Sequence, residues 1–316
     1  YSRKEIAEGN YNLDLCGFPH KVEEILEPKE LIDNYQSSQD KFVRHVTDLL
    51  KELGQSISNP FYSPKHIPAT TLSYAIAEII KLNTSLDNQL RKSVLQYAIQ
   101  GKLVPQNPDD EPAYVLLDRI SAEKSRLISE GKIKRDRNDS VIFRNNNGQF
   151  IERIGKTEID VTDQIPFDIP NSWVWVKLGN ITYNVGNKNN QIQSKDILKV
   201  GSIPVVSQGQ NLVDGFCENR EKVITNLPLI MFGDHTRNVK YVDFPFVIGA
   251  DGTKFHKCIV INPRYIYFWM TIIAEQLRDR GYARHYSLLK ECLIPLPPLE
   301  EQKRIVERIE QIFSLC

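Results

Sequence analysis

The 316-residue sequence lacks the features that mark several large classes of protein. Its five cysteines are odd in number and show no C-x-x-C spacing, so the sequence predicts neither a disulfide framework nor a zinc site. This usage is typical of reduced thiols in the cytosol, and we expect a cytoplasmic protein. No apolar run approaches the roughly 20 residues that a membrane helix needs. An excess of one charge is also lacking, because 40 Lys and Arg residues balance 40 Asp and Glu residues.

The neutral total hides an uneven distribution of charge. Residues 171–297 carry 15 Lys and Arg against 10 Asp and Glu, a formal charge of +5, whereas residues 1–170 sum to −4. A strongly basic domain is the commonest sequence sign of a nucleic-acid binder, and +5 is only a modest excess. If residues 171–297 bind nucleic acid, we therefore expect specificity to depend on a few placed loops rather than on bulk charge.

Apolar spacing predicts helices at both ends of a β-rich region. Between Thr70 and about Gly101 the intervals of four and three residues are typical of a heptad seam that packs on a partner helix. A plain core helix with one tolerated Asn is the alternative. A second apolar stripe follows Pro298. The predicted dimerisation or helix-pairing residues are Leu72, Ile76, Ile79, Asn83, Leu86, Leu90, Ile305, Ile309 and Ile312.

The region between these helices predicts a mostly β domain with one embedded helix at 263–280. Its short β-rich runs are separated by Gly, Asn and Asp and lie at 173–176, 203–206, 229–232, 244–248 and 258–261. The sequence therefore predicts an α+β fold, a globular mostly β domain flanked by long coiled-coil-like helices. We predict four segments: an acidic tail with a Pro-rich linker (1–69), a long helix, second helix and loop (70–164), the β-rich domain (165–297) and the start of another helix (298–316).

Two motifs raise a catalytic hypothesis, and neither is complete. Asn59-Pro-Phe-Tyr62 is similar to a loop with which amino-methyltransferases grip a flipped base, but it lacks the second Pro, and no Gly-rich turn is present to bind a methyl donor. Asp234 beside His235 would suit acid–base work or a metal, yet no third ligand is placed around the pair. We therefore predict no catalytic residue, metal or cofactor in this chain.

Four polar loops of the β-rich domain favour DNA contacts instead. Amide side chains read adenine, Arg reads guanine, and Lys and Arg bind phosphates, so loops rich in these residues suit a DNA-reading surface better than a small-molecule pocket. Loops that only pack their own polar groups are the alternative. The candidate DNA-contacting residues are Lys188, Asn189, Asn190, Gln191, Gln208, Gln210, His235, Thr236, Arg237, Asn238, Lys254, Arg284, His285 and Tyr286.

Two stretches resemble a known family. Pro295-Leu-Pro-Pro-Leu-Glu-Glu-Gln-Lys-Arg-Ile-Val306, with the β-rich domain before it, resembles the target recognition domain and adjoining conserved helix of type I restriction–modification specificity subunits. Leu90-Arg-Lys-Ser-Val-Leu-Gln-Tyr-Ala-Ile-Gln-Gly-Lys-Leu-Val-Pro105 resembles the end of that family's other conserved helix. Residues 1–36 are similar to the C-terminal tail of the partner modification subunit, an N6-adenine methyltransferase. Because the sequence also begins with Tyr and ends within a helical pattern, we expect a piece of a fused modification–specificity protein.

The resemblance implies a sequence-specific recognition module for double-stranded DNA that is not itself an enzyme. It would direct a methyltransferase, whose S-adenosylmethionine site lies outside this sequence, to one half of a bipartite target; a restriction subunit is a further implied partner. The family's subunits carry two recognition domains, whereas this sequence has one. That departure predicts a homodimer or pairing with another specificity half. A coiled-coil scaffold with a β-rich protein-binding module is the alternative from a different class.

Overall fold

A computed structural model of the chain describes residues 87–135, 139–186, 188–249, 252–278 and 284–314, together with single positions between 27 and 44. The motif at 59–62 lies outside the described residues, as do the predicted seam positions Leu72, Ile76, Ile79, Asn83 and Leu86. The described part confirms the α+β fold class, with helices and mainly antiparallel sheets. None of its helices is both long and apolar enough to span a membrane.

The chain divides into two compact units, Tyr1–Tyr97 with Phe313–Cys316, and Ala98–Ile312. Helix α1, described over residues 87–99, runs from the first unit into the start of the second, and its predicted seam residue Leu90, in the first unit, is buried. Arg91 pairs with Asp87 one turn earlier at 3.1 Å, and its guanidinium lies 4.5 Å from the centroid of the Phe313 ring. Both contacts stabilise the described end of this helix.

The second unit begins with a helix and a small antiparallel sheet. Helix α2 (Ala113–Ser129) buries Ala113, Leu116, Ile120 and Leu127, whose spacing of three, four and seven residues places them on one face. The three strands β1 (Ser140–Arg144), β2 (Phe150–Ile154) and β3 (Thr157–Asp160) then form a meander in the order β1-β2-β3. Ile142 of β1 packs in a cluster with Trp175, which belongs to the next domain along the chain.

The larger domain contains three more sheets. Its elements are β4 (Val174–Lys177), α3 (Leu178–Ile181), β5 (Thr182–Val185), β6 (Ile203–Val206), β7 (Gly215–Cys217), β8 (Leu229–Gly233), β9 (Val239–Val242), β10 (Val247–Ile248), β11 (Thr253–Cys258), α4 (Pro263–Gln276), α5 (Tyr286–Glu291), β12 (Leu293–Leu296) and α6 (Leu299–Phe313). The sheets have the orders β10-β6-β7, β5-β11-β8-β9 and β12-β4. Only β10 and β6 pair in parallel among these described strands.

The first two of these sheets share one hydrophobic core. Met231 of β8, Val242 of β9 and Phe255 of β11 pack with Val206 of β6 and Ile248 of β10. Because side chains alternate between the two faces of a strand, burying this face leaves the opposite face of β8 and β11 to be covered by helices. The C-terminal ends of the parallel strands β6 and β10 point to one edge of the sheet, where polar loops follow.

The start of helix α6 is held by polar side chains of the motif that carried the family resemblance. Glu301, which is 1% exposed, accepts hydrogen bonds from Trp173 Nε1 at 2.9 Å and from Gln106 Nε2 at 2.5 Å. Gln302 accepts from the backbone N–H of Asn262 and donates to the carbonyl oxygen of Pro297, both at 2.9 Å. These residues therefore dock the helix on the β-rich domain.

Candidate DNA interface

Three of the predicted polar loops meet at one edge of the β-rich domain. Gln208, just after β6, accepts a hydrogen bond from the His235 backbone N–H through Oε1 at 3.2 Å. Its carbonyl oxygen accepts from Thr236 Oγ1 at 2.7 Å and from Asn238 Nδ2 at 2.9 Å. The loop after β6 and the β8–β9 turn therefore form one surface. We call residues 207–211, 234–238, 252–254 and 284–286 the loop cluster.

Asp234 ties the remaining parts of the loop cluster together. Its backbone N–H donates to the Gly252 carbonyl at 2.7 Å, its carbonyl accepts from His285 N–H at 2.9 Å, and its Oδ1 accepts from Tyr286 N–H at 2.8 Å. The residue is 3% exposed, and a buried carboxylate is tolerated when it is hydrogen-bonded in this way. The contacts give Asp234 a structural role in place of the acid–base or metal role that the sequence raised.

Gly252 is required where two loops approach each other. Its φ of +81° is in the left-handed region, which favours glycine. A Cβ at this position would lie 2.8 Å from His235 Cδ2 and 3.0 Å from Gln208 Nε2. His235 and Gln208 therefore pack directly against the Gly252 backbone. This contact sets the distance between the β8–β9 turn and the start of β11.

Two predicted DNA-contacting residues point inward. His285 is 0% exposed, and its Nδ1 lies 3.0 Å from the carbonyl oxygen of Asp234. Arg237 is half-buried, and its Nη1 donates to the carbonyl oxygen of Leu277 at 2.7 Å, directly after helix α4. A cation there complements the negative end of the helix dipole. Both side chains therefore support the cluster, and a DNA contact by the half-buried Arg237 stays a prediction.

A buried ion pair anchors the loop after β6, and sequence reasoning missed it. Lys240 of β9 is 5% exposed, and its Nζ donates to the Ser207 carbonyl at 2.7 Å and lies 3.3 Å from Asp214 Oδ2. The same carboxylate oxygen accepts from Ser207 N–H at 2.8 Å and Oγ at 2.7 Å. Burial lowers the pKa of Lys240, while Asp214 opposes that shift. The one available signal was a Lys at an inward position of an apolar strand.

Tyr286 is half-buried and lies among the exposed residues of the loop cluster. Lys254 Nζ lies 5.6 Å from the centroid of its ring, and Asn184 Nδ2 donates to its hydroxyl oxygen at 3.2 Å. Arg284, two residues earlier, has a side chain that is 80% exposed and a Nε that lies 4.0 Å from Asp234 Oδ2. Asn184 is exposed on β5 and was not among the predicted residues, since an Asn within a strand gives no sequence signal for a ligand site.

The predicted residues at 188–191 lie beside the loop cluster and are held by other partners. Residues 188–190 form a single 3-10 turn, with Lys188 and Asn189 exposed. The carbonyl oxygen of Gln191 accepts from Lys222 Nζ at 2.6 Å, and Asn190 Nδ2 donates to the Lys222 carbonyl at 3.5 Å. Gln191 also pairs with Ile248 at the end of β10 that leads toward the loop cluster. Gln210 is exposed within the cluster itself.

The predicted pairing residues that the structure describes are buried within the single chain. Ile305 and Ile309 of α6 are 0% exposed and Ile312 is 2% exposed, and Leu90 of α1 is buried as well. In this arrangement these four side chains are not presented to a second chain. Their role in dimerisation stays a prediction.

Comparisons with known proteins bear on the domain that presents the loop cluster. Residues 170–316 match the family model described as the type I restriction modification DNA specificity domain. This stretch is similar to that family. The matched residues include the loop cluster, the embedded helix α4 and the docked helix α6.

Two curated relatives of the chain come from Escherichia coli. The chain is 27% identical over 257 residues to the specificity subunit of the type I restriction enzyme EcoAI, and 25% identical over 254 residues to that of EcoEI. Each match covers 72% of this chain but only 40% and 39% of the relative, so the chain spans about two-fifths of their length.

Two solved structures of specificity subunits also match. The HsdS subunit from Thermoanaerobacter tengcongensis is 18% identical with a TM-score of 0.37, covering 72% of this chain and 51% of that one. The type I S subunit from M. genitalium is 16% identical with a TM-score of 0.42, covering 81% and 57%.

Proposed function

We propose that this chain is a sequence-specific DNA recognition module of a type I restriction–modification system. The observation that carries the proposal is the loop cluster, a set of mutually bonded polar loops within a domain of the specificity family. The chain would bind double-stranded DNA and do no chemistry itself. Its relatives are named as specificity subunits, which supports a recognition role rather than a catalytic one.

The arrangement of charges supports binding through placed contacts. Lys254 and the exposed Arg284 flank Tyr286 and would bind phosphates, while the exposed amides of Gln210 and Asn184 would reach base edges. The loops are bonded to one another before any ligand arrives. Ordering them on binding would therefore cost little, which suits a domain whose net charge is only +5.

The wider assembly is part of the proposal. A methyltransferase that binds S-adenosylmethionine in its own domain would modify the site that this module reads, and a restriction subunit would be a further partner in the cytoplasm. We propose that residues 170–316 read one half of a split target. A second copy or another specificity half would read the other half.

Duplex binding at two salt concentrations tests the proposal. The chain should enrich a defined sequence from a random duplex library, and log affinity should fall with log salt in proportion to the number of phosphate contacts. Lys254→Gln and Arg284→Gln should each lower the salt slope by about 1. Lys156→Gln, at an exposed turn between β2 and β3, is the matched control and should leave it unchanged. A duplex affinity that does not change with salt concentration, together with no enriched sequence, would refute the proposal.

A further inference from the structure

We infer that Asn184 reads an adenine base and that Tyr286 is its positioning residue. The inference rests on the proposed DNA recognition and names one specificity-determining contact within it. Asn184 lies on β5, where it pairs with His256 of the antiparallel strand β11. Because side chains two residues apart on a strand share a face, Lys254 lies on the same face as His256. Asn184, Lys254 and Tyr286 thus form one surface beside the loop cluster.

The hydrogen bond to Tyr286 leaves one edge of the Asn184 amide available. Nδ2 carries two hydrogens, and the one directed at the Tyr286 hydroxyl oxygen accounts for the 3.2 Å contact. We assign this contact to the hydrogen trans to Oδ1, so that the hydrogen cis to Oδ1 and Oδ1 itself lie side by side on the other edge. That edge presents one donor next to one acceptor to a ligand.

Only adenine offers the complementary pair in the major groove. Its N7 accepts and its N6 amino group donates, so an amide edge satisfies both groups at once. Guanine presents two acceptors, cytosine one donor, and thymine an acceptor beside a methyl group. Each of these bases would leave the donor or the acceptor of the Asn184 amide without its match.

Tyr286 is fixed firmly enough to orient the amide. Its ring centroid lies 5.4 Å from that of His256 and 6.3 Å from that of Phe232, and its backbone N–H donates to the buried Asp234. Lys254 covers the ring at 5.6 Å. A base-reading group needs to be held close to its productive geometry by neighbours of this kind. The Tyr286 hydroxyl therefore orients the Asn184 amide through their hydrogen bond.

Selection from a random duplex library tests the inference. The wild-type chain should enrich a motif with adenine at one position that depends on Asn184. Asn184→Asp replaces the donor with a carboxylate, which accepts from cytosine N4, so preference at that position should shift from adenine toward cytosine by about 5- to 150-fold. Tyr286→Phe removes the hydroxyl and keeps the ring, and should weaken adenine preference at the same position. The rest of the motif should not change.

Asn226→Asp is the matched control, because Asn226 is also exposed and its Nδ2 donates to a tyrosine hydroxyl, that of Tyr183, at 3.3 Å. It should leave the motif unaltered. If Asn184→Asp and Asn184→Ser both enrich the wild-type motif with wild-type strength, the inference is overturned while the proposed function stands. If the wild-type chain enriches no motif and binds without salt dependence, the proposed function itself falls.

Discussion

The buried His256 beneath Tyr286 makes the stability of the domain sensitive to acid. Thr182 Oγ1 donates to the Leu178 carbonyl at 2.8 Å, so at 3.3 Å from His256 Nδ1 it acts as the acceptor. The proton of the neutral ring therefore sits on Nδ1. Burial, with smaller effects from Lys254 and Lys290, lowers the pKa of His256 from its ordinary 6.5 to about 3. The fold thus holds this ring in the neutral form.

The sign and size of the effect follow from that shift. The unfolded chain binds a proton at His256 below about pH 6.5, whereas the folded chain does so only near pH 3, so the stabilisation is present above pH 6.5 and is lost as the pH falls. Each pH unit within this window corresponds to about 1.4 kcal/mol. Acidification from pH 7.5 to 5.0 should therefore lower the free energy of unfolding by about 2 kcal/mol through this group alone.

Urea unfolding of the wild-type chain and of His256→Asn at both pH values isolates the effect. Asn does not titrate and can still donate to Thr182, so the loss on acidification should be about 2 kcal/mol smaller in the variant. Taking the difference removes other groups such as Glu301, whose pKa is raised by burial and which acts in the opposite direction. Nitrogen chemical shifts should show the Nδ1–H tautomer down to pH 5. A ring that titrates near pH 6.5 would refute the reasoning.

Two further predictions concern the supports of the loop cluster. Arg237→Ala should lower the free energy of unfolding by about 1.5–3 kcal/mol, because the carbonyl of Leu277 loses a charged donor; unchanged urea unfolding would remove that contact from the fold. Lys240→Met should lower it by about 3–5 kcal/mol, because Asp214 loses its cationic partner and the Ser207 carbonyl loses its donor. Adding Asp214→Asn should recover part of that loss in the same assay, and additive losses would contradict the pairing.

The sequence pattern predicted apolar strands well and mixed strands poorly. The runs at 203–206 and 229–232 coincide with strands β6 and β8, and the helix predicted at 263–280 is observed as Pro263–Gln276. The strand predicted at 258–261 was wrong in position, because the observed strand β11 spans Thr253–Cys258. Lys254 and His256 interrupt its apolar pattern, because one face of this strand supports Tyr286 rather than a hydrophobic core.

The candidate site was predictable as a group of loops but not residue by residue. Amide and hydroxyl composition indicated the segments around 208 and 236, and the structure brings these two together. Their partners are Lys240 of strand β9 and Asp214 at the far end of the same β6–β7 loop, so only the folded chain places both beside Ser207. Asn184 is likewise defined by a contact with a residue 102 positions away.

Polar loops must satisfy their own hydrogen bonds before they can read a ligand, and this divides the cluster into two kinds of position. Asp234 and Lys240 are almost fully enclosed, and their polar atoms are bonded to backbone groups of the loops, so replacing them would disturb the whole surface. Asn184 is exposed, and its Nδ2 donates to the Tyr286 hydroxyl. A change there alters what the surface recognises and leaves its shape intact. In a module built this way, new specificity would arise at positions like Asn184 on an unchanged framework of buried polar supports.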